Sequence, residues 1–102
     1  MSLYMSIQSF QTSGDAKAYR KERQDGIDFF SAWTAPTGTT MLHLWLSVDG
    51  SKAISVWESD SHAALTTLAA QFSPYGAIEL IPIATADEAI PAQAAGGLYK
   101  LG

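Results

Sequence analysis

Acid-base chemistry in this chain has to start from two imidazoles, His43 and His62, the side chains whose ordinary pKa of about 6.5 lies nearest neutrality. His43 stands in the run Met41-Leu42-His43-Leu44-Trp45-Leu46, where alternation places it beside Trp45 on one face of a strand. Glu79, in Ala77-Ile78-Glu79-Leu80-Ile81, shares that face by the same period-two reading but at the opposite edge of one chain's sheet, so a His43–Glu79 pair spanning the two subunits of a dimer is the sharpest candidate for general acid-base work. The competing reading is a hydrogen-bonded interface histidine. Trp45 and Trp57 have the flat surface to stack an aromatic ligand, or to pack an interface. Gln8 and Ser55 add hydrogen-bonding groups to the same set.

Other chemistries lack their residues. The absence of cysteine removes thiolate nucleophiles, disulfides and cysteine-ligated metals. Two histidines a strand apart do not make a metal site, and no HExxH, phosphate-binding glycine loop or nucleophile elbow occurs, so no metal or cofactor is expected. Four of the six basic residues, Lys17, Arg20, Lys21 and Arg23, gather in one segment. On a helix they read as a solvated face with pairs such as Lys21–Asp25 rather than an anion site. A net charge of −4 argues against nucleic acid, and Lys52–Trp57 lacks the basic-aromatic signature of an RNA-recognition strand. No run approaches the roughly 18 apolar residues of a membrane span, and no signal-peptide pattern opens the chain, which makes a cytoplasmic address the default.

The elements that must position these residues follow from breakers and periodicity. At 102 residues, 47% apolar and 16% charged, the chain is long enough for one core and too short for two. The single domain is expected over 4–95, with residues 1–3 read as a leader and 96–102 as a tail. Tyr4–Phe10 reads as a strand, and Thr12-Ser13-Gly14-Asp15 supplies N-cap chemistry for a helix running from Asp15 to Trp33, in which Gly26 invites a kink or close packing. Thr39–Val48 and Lys52–Glu58 form a hairpin across Asp49-Gly50. Ser59, Asp60 and Ser61 offer caps for a second helix carrying Ala64, Leu65, Leu68, Ala69 and Phe72 on one stripe, ended by Ser73-Pro74. Ala77–Ile83 is a fourth strand that Pro82 assigns to an edge. Thr85–Glu88 fits a capping box before a short helix interrupted or ended near Pro91. The order describes an α+β, ferredoxin-like βαββαβ sandwich with an extra C-terminal helix and all helices on one face.

Which side chains face the helices is read from parity. Leu42, Leu44, Leu46 and Val48, with Ile54 and Val56, are assigned to the helix face; Ser6, Gln8, Phe10, Met41, His43, Trp45, Ala53, Ser55, Trp57, Glu79, Ile81 and Ile83 are assigned to the open one. Six large apolar side chains of that open face would expose ~700 to 1,200 Å². A monomer's largest apolar patch is about 300 to 600 Å², so a second copy pairing through the face is expected.

Trp33-Thr34-Ala35-Pro36-Thr37-Gly38, Glu58-Ser59-Asp60, Ala69-Ala70-Gln71-Phe72-Ser73-Pro74 and Ile81-Pro82-Ile83 together resemble an uncharacterised bacterial domain-of-unknown-function family, DUF3303-like, of the dimeric α+β-barrel superfamily. The resemblance implies a ferredoxin-like fold and a homodimer paired back to back through its sheets, forming a barrel; it brings no settled activity. Val56-Trp57-Glu58-Ser59 also resembles the strand-helix junction of cofactor-free antibiotic-biosynthesis monooxygenases and of haem-degrading monooxygenases, where the tryptophan lines the pocket. Thr66, Thr67 and Leu68 stand where the haem-degrading enzymes place a histidine, so the likeness carries no haem site.

The expectation is a small-molecule binding protein whose barrel cavity, lined by Gln8, His43, Trp45, Ser55, Trp57 and Glu79, takes a compact apolar or aromatic compound. A cofactor-free oxygenase or isomerase using His43 or Glu79 as base, and a purely structural dimer, are the alternatives.

Overall fold

The computed structural model describes residues 2–10 and 14–102. Four strands and three helices follow the expected order: β1 Ser2–Phe10, α1 Ala16–Ala32, β2 Thr39–Leu46, β3 Lys52–Ser59, α2 His62–Phe72, β4 Gly76–Ile83 and α3 Ala86–Ala95, with a 3₁₀ turn at Ser73–Tyr75 before β4. The strands form one antiparallel sheet in the order β2-β3-β1-β4. Pro82 falls on β4, an edge strand, where its missing N–H costs the least. β1 begins at Ser2 rather than Tyr4: Ser2 pairs with Ser59 and Leu3 with both Glu58 and Ile83, so two residues read as leader carry ladder.

Local chemistry sets the helix ends. Asp15 caps α1 by accepting from the Ala18 N–H at 2.7 Å; Thr12 and Ser13, its sequence rivals, lie outside the described residues. α1 runs through Gly26 to its cap at Trp33, and the ring of Tyr75 lies 3.5 Å from where a Gly26 Cβ would stand. Ser61 wins the competition to cap α2, accepting from Ala64 N–H, while the Ser59 hydroxyl accepts from the Ser61 N–H. Thr85 caps α3, its hydroxyl accepting from the Glu88 N–H at 3.3 Å.

Pro91 does not end α3. The helix passes through it to Ala95, giving up the bond that residue 91 would have donated to Asp87. Both ends are closed instead: Leu98 N–H donates to Gln93 O and Gly97 N–H to Ala94 O, each at 3.0 Å, a Schellman stop made possible by Gly97 at φ +88°. Among the described residues no helix is long and apolar enough to cross a membrane.

The helix side of the sheet holds the core, and its parity reverses half of the sequence assignment. In β3 Ser55, Trp57 and Ser59 are buried there, with Trp57 edge-on to Trp33 at 5.9 Å; Ile54 and Val56 face the other way. In β1 Ser6 and Gln8 are buried on the helix side, and Phe10 faces Arg23 of α1. Met5 and Ile7, cross-strand from Val56 and Ile54, point to the open face. The reason is compositional: the open face carries the aliphatic side chains, and the covered face carries polar ones satisfied internally.

In β2 a bulge between Met41 and His43 changes parity within the strand. Met41 therefore joins Leu44 and Leu46 on the helix side, against the assignment, while His43 and Trp45 keep the open side expected of them. Val48 lies in the turn beyond β2, fully exposed rather than on the helix face.

Candidate functional site

The six candidate residues divide between two surfaces. Gln8, Ser55 and Trp57 lie beneath the helices; His43, Trp45 and Glu79 lie on the open face. They do not converge within one chain.

Beneath the helices, aromatic residues from α1, the following loop and the α2 end pack as a continuous group. Trp33 meets Phe72 edge-on at 4.7 Å and stacks on Phe30 at 6.2 Å, and its Nε1 donates to Gln71 Oε1 at 2.8 Å. Phe29 packs between Phe72 at 5.3 Å and Tyr75 at 5.2 Å. The polar groups of the sheet floor are tied down: Gln8 Nε2 donates to Phe72 O at 2.7 Å and lies 3.4 Å from Gly76 O, and Trp57 Nε1 donates to Ser55 Oγ at 2.7 Å. Among the described residues no buried side-chain polar atom lacks a partner.

α1 does not seal this floor. It contributes no buried residue, and Leu44 and Leu46, although turned toward the helix layer, stay 41% and 58% exposed. Three adjoining cavities of about 130, 60 and 210 Å³ lie along the resulting cleft. The first is lined by Phe10, Ile27, Phe30, Leu44, Leu46 and Ala53 with Gln8 at its base; the second continues past Met41, Ser55 and Trp57. The third is the polar mouth, between Phe10, Glu22, Arg23 and Tyr75, where the Arg23 guanidinium lies 3.5 Å from the Phe10 ring centroid. Sequence parity missed Phe10 as a cleft residue by putting it on the open face, and missed Phe30 and Leu44 because an apolar residue at helical or strand spacing reads first as core.

On the open face His43 stacks on Trp45, centroids 5.0 Å apart and planes within 8°. Glu79 is exposed on β4, at the opposite edge, three strand spacings or ~14 Å away. Met5, Ile7, Ile54 and Val56 on the two central strands, and Ile81 on β4, are partly exposed there. The basic cluster of α1 behaves as a solvated helix face: Lys21 Nζ reaches Asp25 at 3.0 Å, a bond that raises the Lys21 pKa. Among the described residues no three His, Asp or Glu converge as metal ligands would.

Fold and cleft together define a small α+β protein with an antiparallel sheet, one face roofed by helices and the other open. The chain belongs to the family described as a domain of unknown function, DUF3303, whose model matches residues 2–97. No curated protein matches the chain.

Proposed function

We propose that this protein is a ferredoxin-like sandwich that pairs through its open faces as a homodimer of the α+β-barrel type and binds a small, flat, apolar molecule in the cleft beneath α1. The observation that carries the ligand reading is that cleft. Its walls are aromatic and aliphatic, its floor bears the Gln8 amide and the Trp57–Ser55 pair, and α1 leaves it open along β2. The three cavities, taken as one, reach the lower end of the roughly 300 to 1,000 Å³ of small-molecule sites. This reading puts the site not between the sheets but on the other side of the sheet, with Gln8, Ser55 and Trp57. The pairing reading rests on the unroofed open face, where Met5, Ile7, Ile54, Val56 and Ile81 stay partly exposed beside Trp45 at 53%.

The three indole N–H groups report separately on the two faces. On titration with 1-naphthol, a flat aromatic probe with one hydroxyl, the Trp57 Nε1–H resonance is expected to shift saturably at micromolar to sub-millimolar concentration, and that of Trp45 to stay in place. Leu44→Trp fills the cleft and abolishes the shift. A probe that moves Trp45 alone, or moves neither indole at millimolar concentration, sinks the ligand reading.

A further inference from the structure

We infer that α3 is an exchanged arm: the helix and its folded-back tail lie across the partner copy, against the Thr40–Leu42 end of the partner's β2. The inference rests on the pairing of open faces proposed above and goes beyond it by giving the C-terminal segment a seat.

α3 buries no residue and has at most marginal contact with the rest of its own chain. The whole chain is extended, with a radius of gyration of 16.7 Å where a compact chain of this length has about 13 Å, as an element lying off the body would make it. Yet it is a finished element. Thr85 closes its N-terminus, the Gly96-Gly97 stop closes the other, and the Tyr99 hydroxyl lies 3.0 Å from Gln93 Oε1 and 3.2 Å from Ile90 O, holding the tail against the helix. Ile90, Leu98 and Leu101 remain 42%, 71% and 58% exposed. A ten-residue helix interrupted by Pro91 is marginal alone in water, so its order and its apolar side chains call for a surface.

Charge chooses that surface. Two sheets can stack face to face about a two-fold axis along the strands, which lays each β4 over its partner's β2, or about the perpendicular axis, which lays β4 over β4. The second brings Glu79 toward Glu79; the first brings Glu79 toward the His43–Trp45 stack. The registers agree with the first: Trp45 is level with Ile54, Ile7 and Glu79 in turn across the sheet. Under that axis, chain leaving β4 after Ile83 emerges at the level of Leu3, Glu58 and Thr40, so α3 meets the start of the partner's β2. There Leu42, at the bulge, is 41% exposed, while Met41 turns to the helix side.

The area argument points the same way. Four strands of about eight residues present a flat footprint of ~500 Å² per copy, or ~1,000 Å² for the pair, below the ~1,200 to 2,000 Å² of stable interfaces. Two ten-residue arms, each ~15 Å long and ~10 Å wide, bring the total to ~1,600 Å².

Hydrogen exchange measured across a dilution series, beside sedimentation of the same samples, tests this on the intact chain. Protection of the Ala86–Ala95 amides is expected to rise with the dimer fraction and share its midpoint, and Ile90→Asp to raise the dimer dissociation constant on the order of tenfold. Dimers in which α3 exchanges as fast as in monomers overturn the arm and leave the pairing standing. A monomer at every concentration overturns both.

Discussion

The most demanding residue in the fold is Gly76, the first of β4. Its φ of +147° is open to glycine, and a Cβ there would stand 2.1 Å from the carbonyl oxygen of Ser9, which is backbone and cannot turn aside. That close approach lets β4 start against β1 directly after the 3₁₀ turn, and it brings Gly76 O near the Gln8 amide at 3.4 Å. Gly76→Ala is therefore expected to destabilise the fold by on the order of 3 kcal/mol in urea unfolding. Gly50, at φ +78° with nothing within 4 Å of its missing Cβ, is the comparison: the same substitution there meets only the backbone penalty of about 1 to 2 kcal/mol. Equal losses at the two sites would show that the β1–β4 contact is not what Gly76 serves. Gln8 makes a second residue-scale demand. Gln8→Leu strips the donor from Phe72 O in a part-buried setting, with an expected loss of about 1 to 3 kcal/mol.

The hairpin between β2 and β3 shows how one side chain sets an element. Asp49 Oδ1 takes hydrogen bonds from the Ser51 N–H at 3.0 Å and from the hydroxyls of Ser51 and Ser47, each at 2.8 Å, while Ser47 Oγ accepts from the Lys52 N–H. The Ser51 backbone N–H, then the two hydroxyls, lower the Asp49 pKa to about 2. A carboxyl depressed in the folded state stabilises the fold fully above its unfolded value of about 3.9 and ceases to do so as pH falls through about 2. Carboxyl NMR is expected to place the Asp49 midpoint near 2, and Asp49→Asn to remove that part of the acid sensitivity; a midpoint near 4 would mean the turn does not hold the carboxylate. The Asp49-Gly50 signal made this hairpin legible from sequence, as Pro82 did the edge position of β4 and Thr85 the start of α3. Strand faces were not legible in the same way. Parity is a two-way choice, and composition resolves it by giving the helices the more apolar side. In β3 that means Ile54 and Val56, yet Trp57 and Ser55 lie under the helices, because Trp33 meets the Trp57 ring and Ser55 accepts from its Nε1. In β2 no single parity exists, since the bulge after Met41 inserts a residue that nothing in the run Met41-Leu42-His43 announces.

At the scale of the whole molecule, the two surfaces share one sheet and can be separated by experiment. The molecule, 55 by 30 by 17 Å, is thin because only one face is roofed. A side chain on β1 or β3 therefore serves the cleft or the open face according to parity alone: Ser55 the first, Ile54 the second. Ile54 sits mid-sheet with Ile7 and Trp45 as its cross-strand neighbours, far from either edge of the face. In a monomer Ile54→Lys is tolerable, because the long side chain carries its ammonium out to water. Between paired sheets two such charges, one from each copy, would be buried without partners at about 3 to 5 kcal/mol apiece. The expected result is a rise in the dimer dissociation constant of at least about 10⁴-fold, seen as a single-chain mass in sedimentation at micromolar concentration. The concentration dependence of the melting temperature should disappear with it. Binding of 1-naphthol, read at the Trp57 indole, should survive, because Ser55 and Trp57 point away from the altered face. An Ile54→Lys chain that sediments as the parent does would remove the open face as the interface, and a monomer that loses the probe would place the ligand at the pairing surface instead.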